Sequence, residues 1–241
     1  MSFNDACCTL PPIRSDYTPT GRVFKIGDLE VYETADTTPK KVLICAYDIF
    51  GVHPNIRQVS DILALAGFRV VIPDFFRGNK LDMANFDRST IMAFVAEFGT
   101  WSNTVKPDFE KVIEHYKTQE NITAFGVFGF CWGGRISIDA STEVPDISAS
   151  ALVHPSMWTN DDAETIKSAT LLLPTKDEAD MTQFYEILQK NLGADKTAHH
   201  RFDDMHHGFC GARGDFTDLV NRQRVNEAIN LMKDFFRKNV V

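Results

Sequence analysis

The segment Gly129-Phe130-Cys131-Trp132-Gly133 constrains the fold more than any other part of the chain. An apolar run, Thr123 to Phe128, precedes it and reads as a buried strand. Gly134-Arg135-Ile136-Ser137-Ile138-Asp139-Ala140 follows and reads as the first turns of a helix. Glycines on both sides of a nucleophile, between strand and helix, predict a turn too tight for a Cβ at either flank. The central residue is then expected in a strained backbone conformation. Such a turn leaves the Cys131 sulfur at the carboxyl end of a sheet with a helix N-terminus behind it. That dipole favours thiolate and, later, a substrate oxyanion.

The rest of the chain alternates strand and helix signals. Arg22 to Ile26 and Leu29 to Glu33 flank Gly27-Asp28 and predict an opening hairpin. Strands are expected at Lys41 to Tyr47, Phe68 to Ile72, Ile147 to Val153, Ala169 to Leu173 and Lys196 to Phe202. Helical periodicity marks Asn55 to Ala66, Ser89 to Phe98, Lys106 to Thr118, Met181 to Leu192 and Asp215 to Lys238, with a short helix near Asp162 to Lys167. In the last long helix Val220, Val225, Ile229, Met232 and Phe236 are expected to face the core. This order implies an α/β fold with a mostly parallel central sheet and helices on both faces. Residues 1–20 are polar and aperiodic and read as an extended arm; residues 21–241 read as one domain.

The 33 acidic against 25 basic residues, a net charge of −8, argue against nucleic acid or an anionic membrane as partner. No apolar run approaches the roughly 20 residues of a membrane span, and no secretory signal is visible, so a cytoplasmic location is expected. The five cysteines, Cys7, Cys8, Cys45, Cys131 and Cys210, lack framework spacing and suggest reduced thiols. Cys7 and Cys8 are too close in sequence for an ordinary disulfide. Asn121-Ile122-Thr123 matches a glycosylation sequon, but it abuts a predicted buried strand and reads as coincidence.

A thiol nucleophile needs a base and an orienting acid. Leu171-Leu172-Leu173-Pro174-Thr175-Lys176 runs into Asp177, and the last strand runs through Met205-His206 into His207-Gly208-Phe209. Cys131 as nucleophile, Asp177 as acid and His207 as base all fall on loops after strands, in the chain order of α/β-hydrolases. Asp180 shares the loop of Asp177 and remains open as the alternative acid. His206 is the alternative base, but the Gly-Phe pair after His207 favours His207. His199-His200 and His206-His207 around Asp203-Asp204 could suggest metal. Neighbours on a strand point to opposite faces, however, and no metal site is expected.

These residues resemble the dienelactone hydrolase (carboxymethylenebutenolidase) family of α/β-hydrolases, most closely its eukaryotic, largely fungal branch. The resemblance rests on Tyr47-Asp48-Ile49-Phe50-Gly51, Pro73-Asp74-Phe75-Phe76-Arg77-Gly78, Gly129-Phe130-Cys131-Trp132-Gly133-Gly134, Asp177 and His207-Gly208-Phe209. It implies a Cys-His-Asp triad. It implies that Asp48 holds the place of an acid, usually Glu, that contacts the resting thiol and takes its proton. It implies an oxyanion hole from the backbone N–H groups of Ile49 and Trp132. The bacterial members also hold a substrate carboxylate with two arginines. Arg77 lies one residue early and Arg213 two residues late for that spacing.

The expected reaction is hydrolysis of a lactone or activated ester through a thioester on Cys131, with no cofactor. The expected partner is a small-molecule substrate of a monomer or small homo-oligomer. Phe76, Trp101, Trp132, Phe130 and Phe209 are candidates to line an apolar pocket. A non-catalytic small-molecule binder and a redox-active thiol protein are the alternatives. Either would dispense with His207 and Asp177 as working groups.

Overall fold

A computed structural model describes residues 10–81, 83 and 86–241. The paired Cys7-Cys8 lies outside the described residues. The strands are β1 (Arg22–Ile26), β2 (Leu29–Glu33), β3 (Lys41–Ala46), β4 (Arg69–Pro73), β5 (Ala124–Phe130), β6 (Ile147–Val153), β7 (Ala169–Leu173) and β8 (Thr197–His199). The helices are α1 (Pro54–Ala64), α2 (Arg88–Phe98), α3 (Lys106–Glu120), α4 (Trp132–Glu143), α5 (Asp162–Thr165), α6 (Thr182–Leu192) and α7 (Leu219–Asn239). A π-helical turn, Trp101–Val105, joins α2 to α3.

One eight-stranded sheet runs in the order β1-β2-β4-β3-β5-β6-β7-β8. Only the β1–β2 and β2–β4 pairings are antiparallel; the rest are parallel. Central strands are covered on both faces, so they read as unbroken apolar runs rather than alternating ones. Val42, Leu43, Ile44, Cys45 and Ala46 of β3 are all fully buried. Each large side chain among them contributes on the order of 1.5–3 kcal/mol by leaving water. Helices α1 and α7 pack together on one face. On the other, Ile138 of α4, Ala163 of α5 and Phe184 and Leu188 of α6 close a cluster over Leu152 and Leu172.

Three expectations shift. The predicted strand Lys196 to Phe202 is regular only over Thr197–His199; Phe202 then meets Thr175 in an isolated bridge. The last helix starts at Leu219, capped by the Asp218 carboxylate accepting the Asn221 N–H at 2.8 Å. Val220, expected in the core, lies in its overhanging first turn and is 52% exposed. Residues 10–20 carry no helix or strand but are held to the body. The Ile13 N–H donates to the Ala212 carbonyl at 3.0 Å, and the Tyr17 hydroxyl donates to Asp61 at 2.7 Å.

Candidate active site

The turn between β5 and α4 takes the form its glycines predict. A Cβ on Gly129 would lie 1.8 Å from the Gly133 carbonyl oxygen, and one on Gly133 would lie 2.0 Å from that of Ala46. Cys131 itself sits at φ 53°, ψ −110°, a conformation L-residues rarely adopt. Around it the Cys131 N–H donates to Val153, Gly133 to Tyr47 and Gly134 to Cys131. The N–H of Trp132 and that of Ile49 donate to no acceptor among the described residues.

His207 lies across the sulfur. Its Nδ1 is 2.6 Å from Glu178 Oε1, and both side chains are almost wholly buried. A carboxylate only accepts, so Nδ1 carries the proton and Nε2 is left for the Cys131 sulfur, with which the imidazole also hydrogen-bonds. Burial opposes charge on His207. The nearby Cys131 sulfur and then the Glu178 carboxylate outweigh it and push the pKa up to about 10. The imidazole thus lies between the sulfur and the carboxylate, and both favour its protonated form.

The acid on the imidazole is therefore Glu178, not Asp177 or Asp180. Asp177 is exposed, and its carboxylate accepts the backbone N–H of His207 at 2.8 Å. Asp180 accepts the N–H and hydroxyl of Thr182 at the start of α6. The second Glu178 oxygen accepts the Thr175 N–H, which stiffens the carboxylate. Two acids stand side by side in the sequence. The turn after the Thr175–Phe202 bridge decides which one faces inward, and no spacing rule reports that. His206 turns away, its Nδ1 donating to the His207 carbonyl at 2.9 Å.

Asp48 is buried, and its two oxygens accept from Phe50 N–H at 3.0 Å and Ala212 N–H at 2.8 Å. Burial raises its pKa against these two bonds and the neighbouring His53 and Arg213. With Ile49, Phe50, Cys131, His207, Gly208 and Arg213 it lines a cavity of about 10 Å³, room for roughly one water. The Arg213 guanidinium lies over the Phe50 ring at 5.2 Å and the Phe86 ring at 5.9 Å.

Three expected binding residues lie elsewhere. Arg77 is paired with Asp28 at 2.7 Å and with Asp108 at 2.5 Å, beside a separate cleft. Phe76 packs on Trp132 and Phe94. Trp101 packs on Phe109 and belongs to the core. Large aromatic residues close to a motif in sequence are more often its foundation than its lining.

Sequence reasoning also missed Ser156 and His154. Ser156 Oγ lies 3.8 Å from Cys131 Sγ. The His154 ring is fully buried 5.0 Å from that of His207, and among the described residues neither of its nitrogens has a hydrogen-bond partner. Burial, and the His207 charge after it, hold His154 well below the usual histidine range. Among the described residues no group of three or more His, Cys, Asp or Glu could hold a metal ion. His199 packs at a tilt against Tyr185, whereas His200 meets Phe202 and Glu227. Cys45 and Cys210 are free, fully buried thiols whose pKa burial pushes up. No helix among the described residues is long and apolar enough to cross a membrane.

Comparison with known proteins bears on the family and the fold. The model of the Dienelactone hydrolase family matches residues 29–240. An uncharacterized AIM2 family protein of Schizosaccharomyces pombe is 29% identical over 92% of this chain and 92% of its own. The carboxymethylenebutenolidase homolog of Homo sapiens is 25% identical over 93% of this chain and 94% of its own. A solved structure named as a dienelactone hydrolase from Klebsiella pneumoniae superposes with a TM-score of 0.69 at 19% identity, covering 87% of this chain and 93% of that one. The Pyrococcus furiosus esterase Pf2001 superposes with a TM-score of 0.64 at 14% identity, covering 96% and 99%. At such identities the superpositions speak to the fold, which is that of the α/β-hydrolases.

Proposed function

The chain belongs to the dienelactone hydrolase family, and from that premise we propose that it hydrolyses a lactone or activated ester through a Cys131–His207–Glu178 relay. The observation that carries the reading is the buried line of three groups at the strained turn: sulfur, imidazole and carboxylate.

The thiolate of Cys131 attacks the acyl carbon. The N–H groups of Ile49 and Trp132 receive the developing oxyanion; two fixed donors of this kind commonly contribute several kcal/mol, about 3–4 for one removed. Collapse breaks the acyl C–O bond and leaves a thioester on Sγ, while the His207 imidazolium gives its Nε2 proton to the leaving oxygen. Neutral His207 then takes a proton from water as the water oxygen attacks the thioester. Release of the acid restores thiolate and imidazolium. Glu178 holds the Nδ1 tautomer throughout and balances the imidazolium charge.

Asp48 serves in this scheme as a brace rather than a proton acceptor. Its oxygens accept the Phe50 and Ala212 amides, and the second bond ties the loop after β3 to residues 208–214. Arg213, bordering the cavity, is suited to a carboxylate on the substrate. Arg213, seated on the Phe50 and Phe86 rings, forms one wall of this cavity.

The test is hydrolysis of cis- and trans-dienelactone, with a neutral activated ester beside them, by the wild-type protein and Cys131→Ala. Turnover that disappears in the variant is expected. Equal turnover in both, or none on any ester while Cys131 still reacts with an alkylating probe, would overturn the reading.

A further inference from the structure

The segment after β6 carries groups that the reaction above leaves without a task. His154 has φ 37° and Met157 φ 62°, so two non-glycine residues three apart adopt left-handed backbone. Such conformations are costly and persist only where the surroundings over-determine them. Here they fold 154–157 back across the nucleophile turn. The Cys131 N–H donates to the Val153 carbonyl at 3.2 Å, and the Ser156 N–H returns to the Cys131 carbonyl at 3.0 Å. Arg135 Nη1 donates to the Met157 carbonyl at 3.4 Å. Pro155 packs so closely on α4 that a Cβ on Gly134 would lie 2.7 Å from its own. The result of this clamp is that the Ser156 hydroxyl, 1% exposed as a residue, faces Cys131 Sγ at 3.8 Å.

We propose that Ser156 is a positioning residue of this site: its hydroxyl accepts from the Cys131 thiol at 3.8 Å, and once the sulfur is deprotonated it turns to donate to the thiolate and holds it in place before substrate arrives. The proposal rests on the thiol-hydrolase reading above. A hydroxyl serves the sulfur in either protonation state, accepting from S–H or donating to S⁻. Only the second is charge-assisted, so the contact favours thiolate. Negative charge leaves sulfur as it bonds to the acyl carbon, and the hydrogen bond weakens along that path. Ser156 therefore lowers the proton affinity of Cys131 and, to a smaller degree, tempers its nucleophilicity.

The test is the pH profile of Cys131 alkylation by iodoacetamide, read at the Cys131 peptide, in wild type, Ser156→Ala and Ser156→Thr, with thermal unfolding as the check on folding. In wild type the midpoint is expected well below the roughly 8.5 of a free thiol. Ser156→Ala is expected to move it up by about one unit, a tenfold change in proton affinity. The plateau rate at high pH should rise about threefold, since nucleophilicity follows thiol basicity with a slope near 0.4–0.5. Ser156→Thr, which keeps the hydroxyl, should return the midpoint toward wild type. A low wild-type midpoint that Ser156→Ala leaves in place would overturn the role of Ser156 and spare the relay. A wild-type midpoint like that of a free thiol would overturn the relay itself. Should Ser156→Ala not fold, Ser156→Gly makes the same deletion and is read the same way.

Discussion

His207 Nδ1 and Glu178 Oε1 stand 2.6 Å apart, with 1% and 0% of their side chains exposed. Neither partner can turn to water for an alternative bond. The second Glu178 oxygen is held by the N–H of Thr175, two residues past β7 and anchored there by its bridge to Phe202. Asp177, next to it, supports the same histidine through its main chain.

Glu178→Gln should lower kcat/KM roughly a thousandfold, because a neutral amide neither balances the imidazolium nor enforces its tautomer. Asp177→Asn should stay within about threefold of wild type, since an amide oxygen still accepts the His207 N–H. Steady-state hydrolysis of one activated ester by both variants decides between the two acids. The reverse ranking would return the role to Asp177.

The pair also predicts how stability depends on pH. The His207 pKa in the fold is about 10, above the ordinary 6.5. A raised folded pKa stabilises fully below the unfolded value, and that contribution is lost as pH climbs through the folded one. The urea midpoint of wild type should therefore fall between about pH 8.5, where the unfolded thiol has also lost its proton, and pH 10 by more than that of Cys131→Ala, which lacks the sulfur that does most to raise the pKa. Parallel curves for the two proteins would count against the ion pair.

The two arginines should separate. Arg213→Gln is expected to raise KM about tenfold or more for a carboxylate-bearing ester and to leave a neutral ester within about twofold. Arg77→Gln should leave both KM values unchanged, because Asp28 and Asp108 lie beside a different cleft, and cost on the order of 1–3 kcal/mol of stability, because Asp108 is buried and loses two bonds. Kinetics on the two esters, with a urea melt, reads both effects.

Gly133→Ala places a methyl 2.0 Å from the Ala46 carbonyl oxygen, and neither backbone can give way without moving β3 or α4. A loss of at least about 3–4 kcal/mol is expected, measured as a fall in the urea midpoint. A variant with wild-type stability would mean that the turn is looser than its glycines imply.

The layers of the fold were legible because their signals are local. Ile147–Val153 and Ala169–Leu173 are strands at the bounds their apolar runs predict. The turn at Cys131 was legible for a related reason: small residues at fixed offsets report a steric exclusion that no distant contact can relax. Val220 misled because helical periodicity gives a face but not the point at which the helix begins. Phe76, Arg77 and Trp101 misled because nearness in sequence to a motif says nothing about which way a side chain leaves the chain.

By itself the sequence determined the alternation of strand and helix and the tight turn that carries Cys131, and it singled out His207 as the histidine to set beside that sulfur, since each follows from residue type and spacing along the chain. Only the tertiary structure decided that Glu178 rather than Asp177 meets the imidazole, that Asp48 braces residues 208–214, and that Ser156 faces the sulfur. Those outcomes depend on loop turns and crossings between segments from 25 to 164 residues apart. Packing around a shared core sets their side-chain directions, and no local preference encodes them.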